Sequence, residues 1–321
     1  MSPLTLRHEL RDGDLATLST FTASSATAPL GRRQLEELLL APGQAARHVL
    51  IAEEHGAARG YVHLAVDGPA ADTAWIVSGA VDPAHRGRGI GGELLAAALI
   101  AAGGAGASTV RLSGRPQGYA VPGVDVERDP ATARFLERRG ARPEPAALAM
   151  HRTLHDLGDP PRDPGRDGAD VRILECTPER VPALLAMTQE HLSPEWALTF
   201  SRHAADGGCL GLLLLAEDAA GQLLGVAARG VVGRDPTRFG PFGVVPAARG
   251  RGVGAALLDA SLRRMAADGL AHAWFLWTGP GSAAHRLYFA QGFTTLRTFI
   301  PYRFDLEAGP TTTAPQEGHS R

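Results

Sequence analysis

One glycine–arginine string occurs twice in this 321-residue chain. It reads Arg86-Gly87-Arg88-Gly89-Ile90-Gly91 and again Arg249-Gly250-Arg251-Gly252-Val253-Gly254, 163 positions apart. Each copy follows an apolar stretch ending in Val-X-Pro-Ala (Val81 to Ala84, Val244 to Ala247) and opens an alanine- and leucine-rich helical pattern. Glycines let successive backbone N–H groups converge on one point, and a helix start adds the positive end of its dipole. The combination is a cradle for an anion such as phosphate. Two cradles imply two copies of one phosphate-gripping domain.

Length agrees, because a chain of this size exceeds the usual single domain, and each half is long enough to bury its own core. Composition is globular, with 44% hydrophobic residues, 21% charged residues and a formal charge of −2. That balance leaves no basic footprint for nucleic acid. All 32 basic Lys/Arg positions are Arg, scattered through both halves, which reads as compositional bias. Cys176 and Cys209 are too few for a disulfide framework and neither has a His at metal-ligand spacing, so no metal is expected. Met1 to Leu10 lacks a signal-peptide pattern, and Leu210 to Ala216 is too short an apolar run to span a bilayer. A cytoplasmic protein with no membrane partner is the expectation.

His155 to Asp170, rich in Pro, Gly and Asp, reads as a linker, and the polar tail Glu307 to Arg321 as disordered. The division is therefore 1–154 and 171–306. Both halves repeat one element order. In the first, a strand (Leu4–Glu9), helices near Asp14–Thr22 and Arg32–Leu40, and strands His48–Ala52, Gly60–Val66 and Trp75–Val81 precede the string. A helix Gly91–Ala102 stopped by Gly103-Gly104, a strand Thr109–Leu112, a helix Ala131–Arg139 and a strand Leu148–Leu154 follow. In the second, strand Val171–Leu174, helix Pro178–His191, a helix near Glu195–Ala204 and strands Leu210–Ala216, Gln222–Arg229 and Phe239–Val245 lead to helix Gly254–Ala267. Strand Ala273–Trp277, helix Ser282–Ala290 and one long strand Thr294–Phe304 complete it.

Three phosphate-binding readings compete. A Walker loop needs Gly-Lys-Ser/Thr, and the chain has no Lys. The dinucleotide fingerprint G-x-G-x-x-G is met literally by Gly87, Gly89 and Gly92, and its alanine variant by Gly250, Gly252 and Ala255. Its context is absent: several strands precede each string, and no acidic residue follows the next strand. The third reading fits best. Arg-X-X-Gly-X-Gly after Val-X-Pro, at the start of a long helix, resembles the acetyl-CoA motif of the GNAT superfamily of N-acetyltransferases. A later short helix with a Gly-Phe-like end, Arg286 to Phe293 and Arg134 to Ala141, extends the resemblance over nearly all of both halves. It implies two tandem α/β (α+β) domains, each a twisted mixed sheet with helices on both faces.

The resemblance also implies roles. Amides of Arg249, Gly250, Arg251, Gly252, Val253, Gly254 and Ala255 would hold the coenzyme pyrophosphate, and Phe242, Gly243 and Val244 would pair with its pantetheine arm and polarise the thioester carbonyl. The matching positions in the first half are Gly79, Ala80, Val81, Arg86, Gly87, Arg88, Gly89, Ile90, Gly91 and Gly92. Tyr288, four residues before Gly292, takes the place of the family's proton donor to the departing thiolate; its plain alternative is core packing. Position 136, four before Gly140, is Leu, so the first copy is expected to lack that donor. Arg86 to Gly140 spans 54 residues against 43 from Arg249 to Gly292, the excess lying in the loop Arg115–Asp129 with Tyr119, a weak substitute donor. A general base is not legible: Asp235 is the one acid near the start of the strand before the string, and Glu190, His191 and Glu195 could bind the acceptor or deprotonate it through water, each also readable as an ordinary helix-end residue; His285, one turn before Tyr288, could tune or relay and is also readable as a surface His. Trp277 and the turn Thr278–Gly281 either close an acceptor pocket or simply connect strand to helix.

The expected activity is transfer of acetyl from acetyl-CoA to a primary amine, carried by the second copy. Direct attack is favoured because neither Cys lies in the motifs. Two alternatives stand beside it: a non-catalytic acyl-CoA-binding tandem, and an amino-sugar acetyltransferase similar to mycothiol synthase, whose pattern Thr278–Ala284 does not match. The acceptor, a small molecule or peptide amine, and the choice between monomer and homodimer stay open.

Overall fold

The computed structural model describes residues 4–25, 30–40, 47–66, 72–112, 121–158 and 171–306. Tyr119, most of the expected linker and the expected disordered tail lie outside them. The described residues group into two compact units. Gly123–Glu144 and the residues after Phe299 join the N-terminal residues up to Leu112, while Pro145–Phe299 build the second unit.

In the first unit, β1 (Thr5–Arg7), α1 (Asp14–Ala23), α2 (Arg32–Leu40), β2 (Arg47–Glu54), β3 (Ala57–Val66) and β4 (Thr73–Val81) precede α3 (Ile90–Gly104), β5 (Thr109–Leu112), α4 (Pro130–Glu137) and β6 (Arg142–Pro143). Strands β1 to β4 pair antiparallel and β4 pairs parallel with β5. This mixed sheet is not the doubly wound parallel sheet that a dinucleotide fingerprint requires. Period-two alternation along β2 divides the core. Leu50 and Ala52 pack under α3, whereas Val49 and Ile51 pack under α1 and α2. Gly103-Gly104 do not stop α3. They form its last residues, and the left-handed turn comes at Gly106 (φ +93°).

The second unit holds β7 (Ala147–Thr153), β8 (Arg172–Glu175), α5 (Val181–His191), α6 (Pro194–Ala205), β9 (Leu213–Glu217), β10 (Leu223–Arg229), β11 (Phe239–Val244), α7 (Val253–Ala267), β12 (His272–Phe275), α8 (Ala283–Ala290) and β13 (Thr294–Phe299). Leu257, Leu258, Leu262 and Met265 of α7 are fully buried, each contributing about 1.5–3 kcal/mol.

Pairing corrects the sequence-based grouping at two strands. β7, read as the last strand of the first half, lies between β12 and β13 in the second unit. The long strand expected at Thr294–Phe304 breaks at Ile300-Pro301 into β13 and β14 (Tyr302–Asp305). β14 inserts between β5 and β6 of the first unit, with Tyr302 and Phe304 buried there. A proline inside a strand pattern demotes it to an edge or a break, and Pro301 is that signal.

Candidate active site

In the second unit the sheet divides into β8-β9-β10-β11 and β12-β7-β13. A single parallel bridge, Arg238 to Trp274, joins the two parts, with the Trp274 N–H donating to the Thr237 carbonyl at 3.0 Å. Beyond that bridge, among the described residues, β11 pairs only with β10, so its far edge from Phe239 to Val244 offers backbone groups to an extended ligand. Between Phe239 and Phe242, β11 also carries one residue more than β10, a bulge of the kind that bends a strand.

The base of this opening is fastened by Asp235. Its carboxylate accepts from the Thr237 N–H (2.9 Å), the Thr237 hydroxyl (2.6 Å) and Trp274 Nε1 (3.1 Å). Burial raises its pKa, but these donors and nearby His272 outweigh it and leave the carboxyl below its usual range. Burial lowers Arg238, stacked near the Trp274 ring, to about 10 against the pull of Asp235. Asp235 is thus committed to the strand junction and is a poor general base.

Past Val244 the chain makes a short turn at Pro246–Ala248, and Gly250 (φ +75°) and Gly252 (φ +78°) lead into α7. A Cβ at either glycine would meet nothing within 4 Å, so positive φ, not space, demands glycine here. Among the described residues, the amides of Gly250, Arg251, Gly252, Val253, Gly254 and Ala255 have no protein acceptor, and the first turn of α7 has no acidic residue. Arg249 is tied back, its Nε donating to the Val244 carbonyl at 3.2 Å. Arg251 has no hydrogen-bond or ion-pair partner among the described residues. Convergent free amides with a free guanidinium fit a diphosphate.

Tyr288 enters from α8 with its ring buried among Phe239, Phe242, Phe275 and Phe293, at centroid distances of 6.2, 5.9, 4.4 and 5.6 Å. The core-packing alternative therefore holds for the ring. The hydroxyl has no protein partner among the described residues, and it is not one of the fully sealed polar atoms. Burial pushes the phenol above its ordinary value, so its O–H stays protonated at neutral pH.

Successive residues of β11 face opposite ways. A Cβ on Gly254 would touch Val244, Phe242 and Leu287, which places Phe242 and Val244 on the α7–α8 side with Tyr288. A Cβ on Gly243 would lie 2.8 Å from Trp196 Cζ3 and 3.2 Å from Leu192 Cδ2, so α5 and α6 cover the other side. Trp196 and Leu192 escaped the sequence reading; the only local signal is the Ser193 N-cap that starts α6. Of the other candidates, Glu190 is exposed beside His191, Glu195 accepts from the Ser193 hydroxyl at 2.5 Å, and His285 Nδ1 accepts from the Gly281 N–H at 3.1 Å. The turn after Trp277 behaves as a strand-to-helix connection: Thr278 pairs with Leu148 through both backbone groups, and the Ser282 hydroxyl caps α8 at the His285 N–H.

The first unit repeats the frame with different contents. β4 and β5 share four parallel pairs, Thr73–Ile76 with Thr109–Leu112, and Gly79, Ala80 and Val81 lie past the last of them. Gly87 (φ +78°) and Gly89 (φ +89°) lead into Ile90, Gly91 and Gly92 at the start of α3, and Arg86 Nε donates to the Val81 carbonyl as Arg249 does to Val244. Arg88, however, is paired with Glu54 at 2.7 Å. Leu136 is buried at the position matching Tyr288 in the other unit, and α4 has no Tyr, Ser or Cys.

The chain matches the acetyltransferase (GNAT) family over residues 16–121 and 175–293, once in each half. It belongs to that family. This GNAT chain is 31% identical over 289 residues to a mycothiol acetyltransferase of Mycobacterium sp. (strain JLS), covering 83% of this chain and 85% of the relative. To the mycothiol acetyltransferase of Nocardia farcinica (strain IFM 10152) it is 29% identical over 320 residues, 94% of this chain and 98% of that one. A GCN5-related glucosamine N-acetyltransferase region of a fungal multi-domain β-N-acetylglucosaminidase shares the fold at TM-score 0.79 and 20% identity, over 95% of this chain and 38% of that one. A tandem GNAT protein from the clavulanic acid biosynthesis pathway does so at TM-score 0.66 and 21% identity, over 96% and 100% of the two chains. This GNAT chain is an acetyltransferase whose family uses an acyl-CoA cosubstrate, and no helix among its described residues is long and apolar enough to cross a membrane.

Proposed function

We propose that the second unit transfers acetyl from acetyl-CoA to the primary amine of a small molecule, with an amino sugar as the favoured acceptor class. The observation that supports this reading is the opening between β11 and β12: a free strand edge, free amides at the start of α7 packed beside Phe242 and Val244, and the Tyr288 ring against Phe242. Arg249 to Ala255 would hold the diphosphate, and the edge Phe242-Gly243-Val244 would align the pantetheine and donate to the thioester oxygen as negative charge develops there. The amine attacks the carbonyl carbon, the new C–N bond forms as the C–S bond breaks, and the ammonium proton passes to solvent. Because its phenol is held protonated, Tyr288 contributes a hydrogen bond to the departing thiolate. The amino-sugar preference draws on the names of the relatives and of the fungal fold neighbour.

Tyr288→Phe tests the assignment. Acetyl transfer, followed as free thiol release across a panel of amino sugars and simple amines, is expected to fall about ten- to a hundredfold with acetyl-CoA affinity near normal. The rate should rise with pH as the acceptor amine loses its proton and show no falling limb from Tyr288 near pH 10. A variant as fast as wild type removes Tyr288 from the reaction.

A further inference from the structure

We propose that the first glycine string is a latched coenzyme site. Glu54 holds Arg88 away from an incoming diphosphate, so the chain binds a single coenzyme A tightly, in the second unit. This rests on the reading above, that these strings seat the diphosphate of coenzyme A.

The latch is a cluster at the mouth of the first string. Glu54 Oε1, on a side chain only 12% exposed, takes Arg88 Nη2 at 2.7 Å. Its other oxygen lies 4.0 Å from both Arg59 Nε and His85 Nε2. Asp82 Oδ2 adds a second carboxylate, 2.8 Å from His85 Nδ1 and 3.6 Å from Arg59 Nη1. Arg86 is engaged with the Val81 carbonyl and the Ser24 hydroxyl, and Glu93 puts a third carboxylate in the first turn of α3. To serve a diphosphate, Arg88 must leave a largely buried partner behind, and that carboxylate would then face the ligand. Breaking such a pair and juxtaposing like charges both weaken binding.

Among the described residues the second string shares the tied-back arginine, Arg249 on the Val244 carbonyl, but not the carboxylate cluster. Strand register places Leu224 where Arg59 stands and Val245 where Asp82 stands, and the shared Val-X-Pro-Ala spacing places Ala248 at His85. Asp218, in the place of Glu54, is occupied with the amides of its own turn at Ala220 and Gln222. The first string nevertheless keeps a further cation. Arg139, stacked 4.0 Å over Phe135, lies 2.8 Å from where a Cβ on Gly92 would be. Once Glu54 is neutral, Arg88 and Arg139 together flank the free amides of Gly87 to Gly91.

Isothermal titration of the full chain with coenzyme A tests the latch. Wild type is expected to titrate one site per chain, and Glu54→Gln two, with the new site at least about tenfold tighter than any residual first-unit binding in wild type. Glu54→Gln combined with Arg251→Glu should return to one site, placing the new site in the first unit. Two comparable sites in wild type, or one site in Glu54→Gln, overturns the latch and leaves the coenzyme reading intact. No site at all in wild type overturns both. The wild-type stoichiometry tests the latch without any variant, so poor folding of the Glu54→Gln protein cannot shelter it.

Discussion

The two units share a frame and differ in what surrounds it. In the second, one backbone bridge joins β11 to β12 and Arg251 has no partner among the described residues, and a tyrosine stands four residues before Gly292. In the first, four pairs join β4 to β5 within a seven-stranded sheet, Arg88 is paired with Glu54, and leucine replaces the tyrosine. The glycine string alone therefore does not make a site. On the proposed reading, what makes one is the set of side chains that leave its amides and arginine unengaged, together with a sheet that opens beside it.

The comparison is broken most severely through the exchanged strands. Phe304→Ala is expected to destabilise the first unit, and Met150→Ala the second, each by about 2–5 kcal/mol, although each residue lies in the opposite half of the sequence. Hydrogen exchange resolved by unit reads which sheet loosens; loss confined to the half of origin would contradict the pairing. Next in size, Arg251→Ala should weaken coenzyme A binding about ten- to a hundredfold, the worth of one or two charged hydrogen bonds, whereas Arg88→Ala leaves the measured affinity unchanged. Equal losses would make the two strings equivalent. The smallest effect is an acid one at Asp235. Its folded pKa is depressed, so its stabilisation is complete above the ordinary aspartate value near 3.9 and drains away as pH falls toward the folded value. Thermal melts from pH 6 to pH 3 should show a shallower acid decline in Asp235→Asn.

The parts legible in the sequence were those written locally. The duplicated string, the helices it opens and most of the strands before it follow from glycine placement and periodicity within short windows; the exception is Leu210–Leu212, expected in a strand and found as a short helical turn before β9. Tyr288 was visible by its spacing to Gly292. The partners of β7 and β14 were not, because identical strand patterns pair equally well in either sheet until the whole chain chooses. Pro301 was the one local hint. Glu54 reaches Arg88 across 34 residues only because the β2–β3 hairpin returns to the end of β4. Trp196 is likewise brought onto Gly243 by the packing of α6, which no motif announces.

The traded strands also say something about inheritance. A half with leucine in the place of Tyr288 would ordinarily be free to decay, yet here it supplies β7, the middle strand between β12 and β13. Neither half can be shed, shuffled or borrowed as a cassette, because a gene cut between them divides both sheets at once.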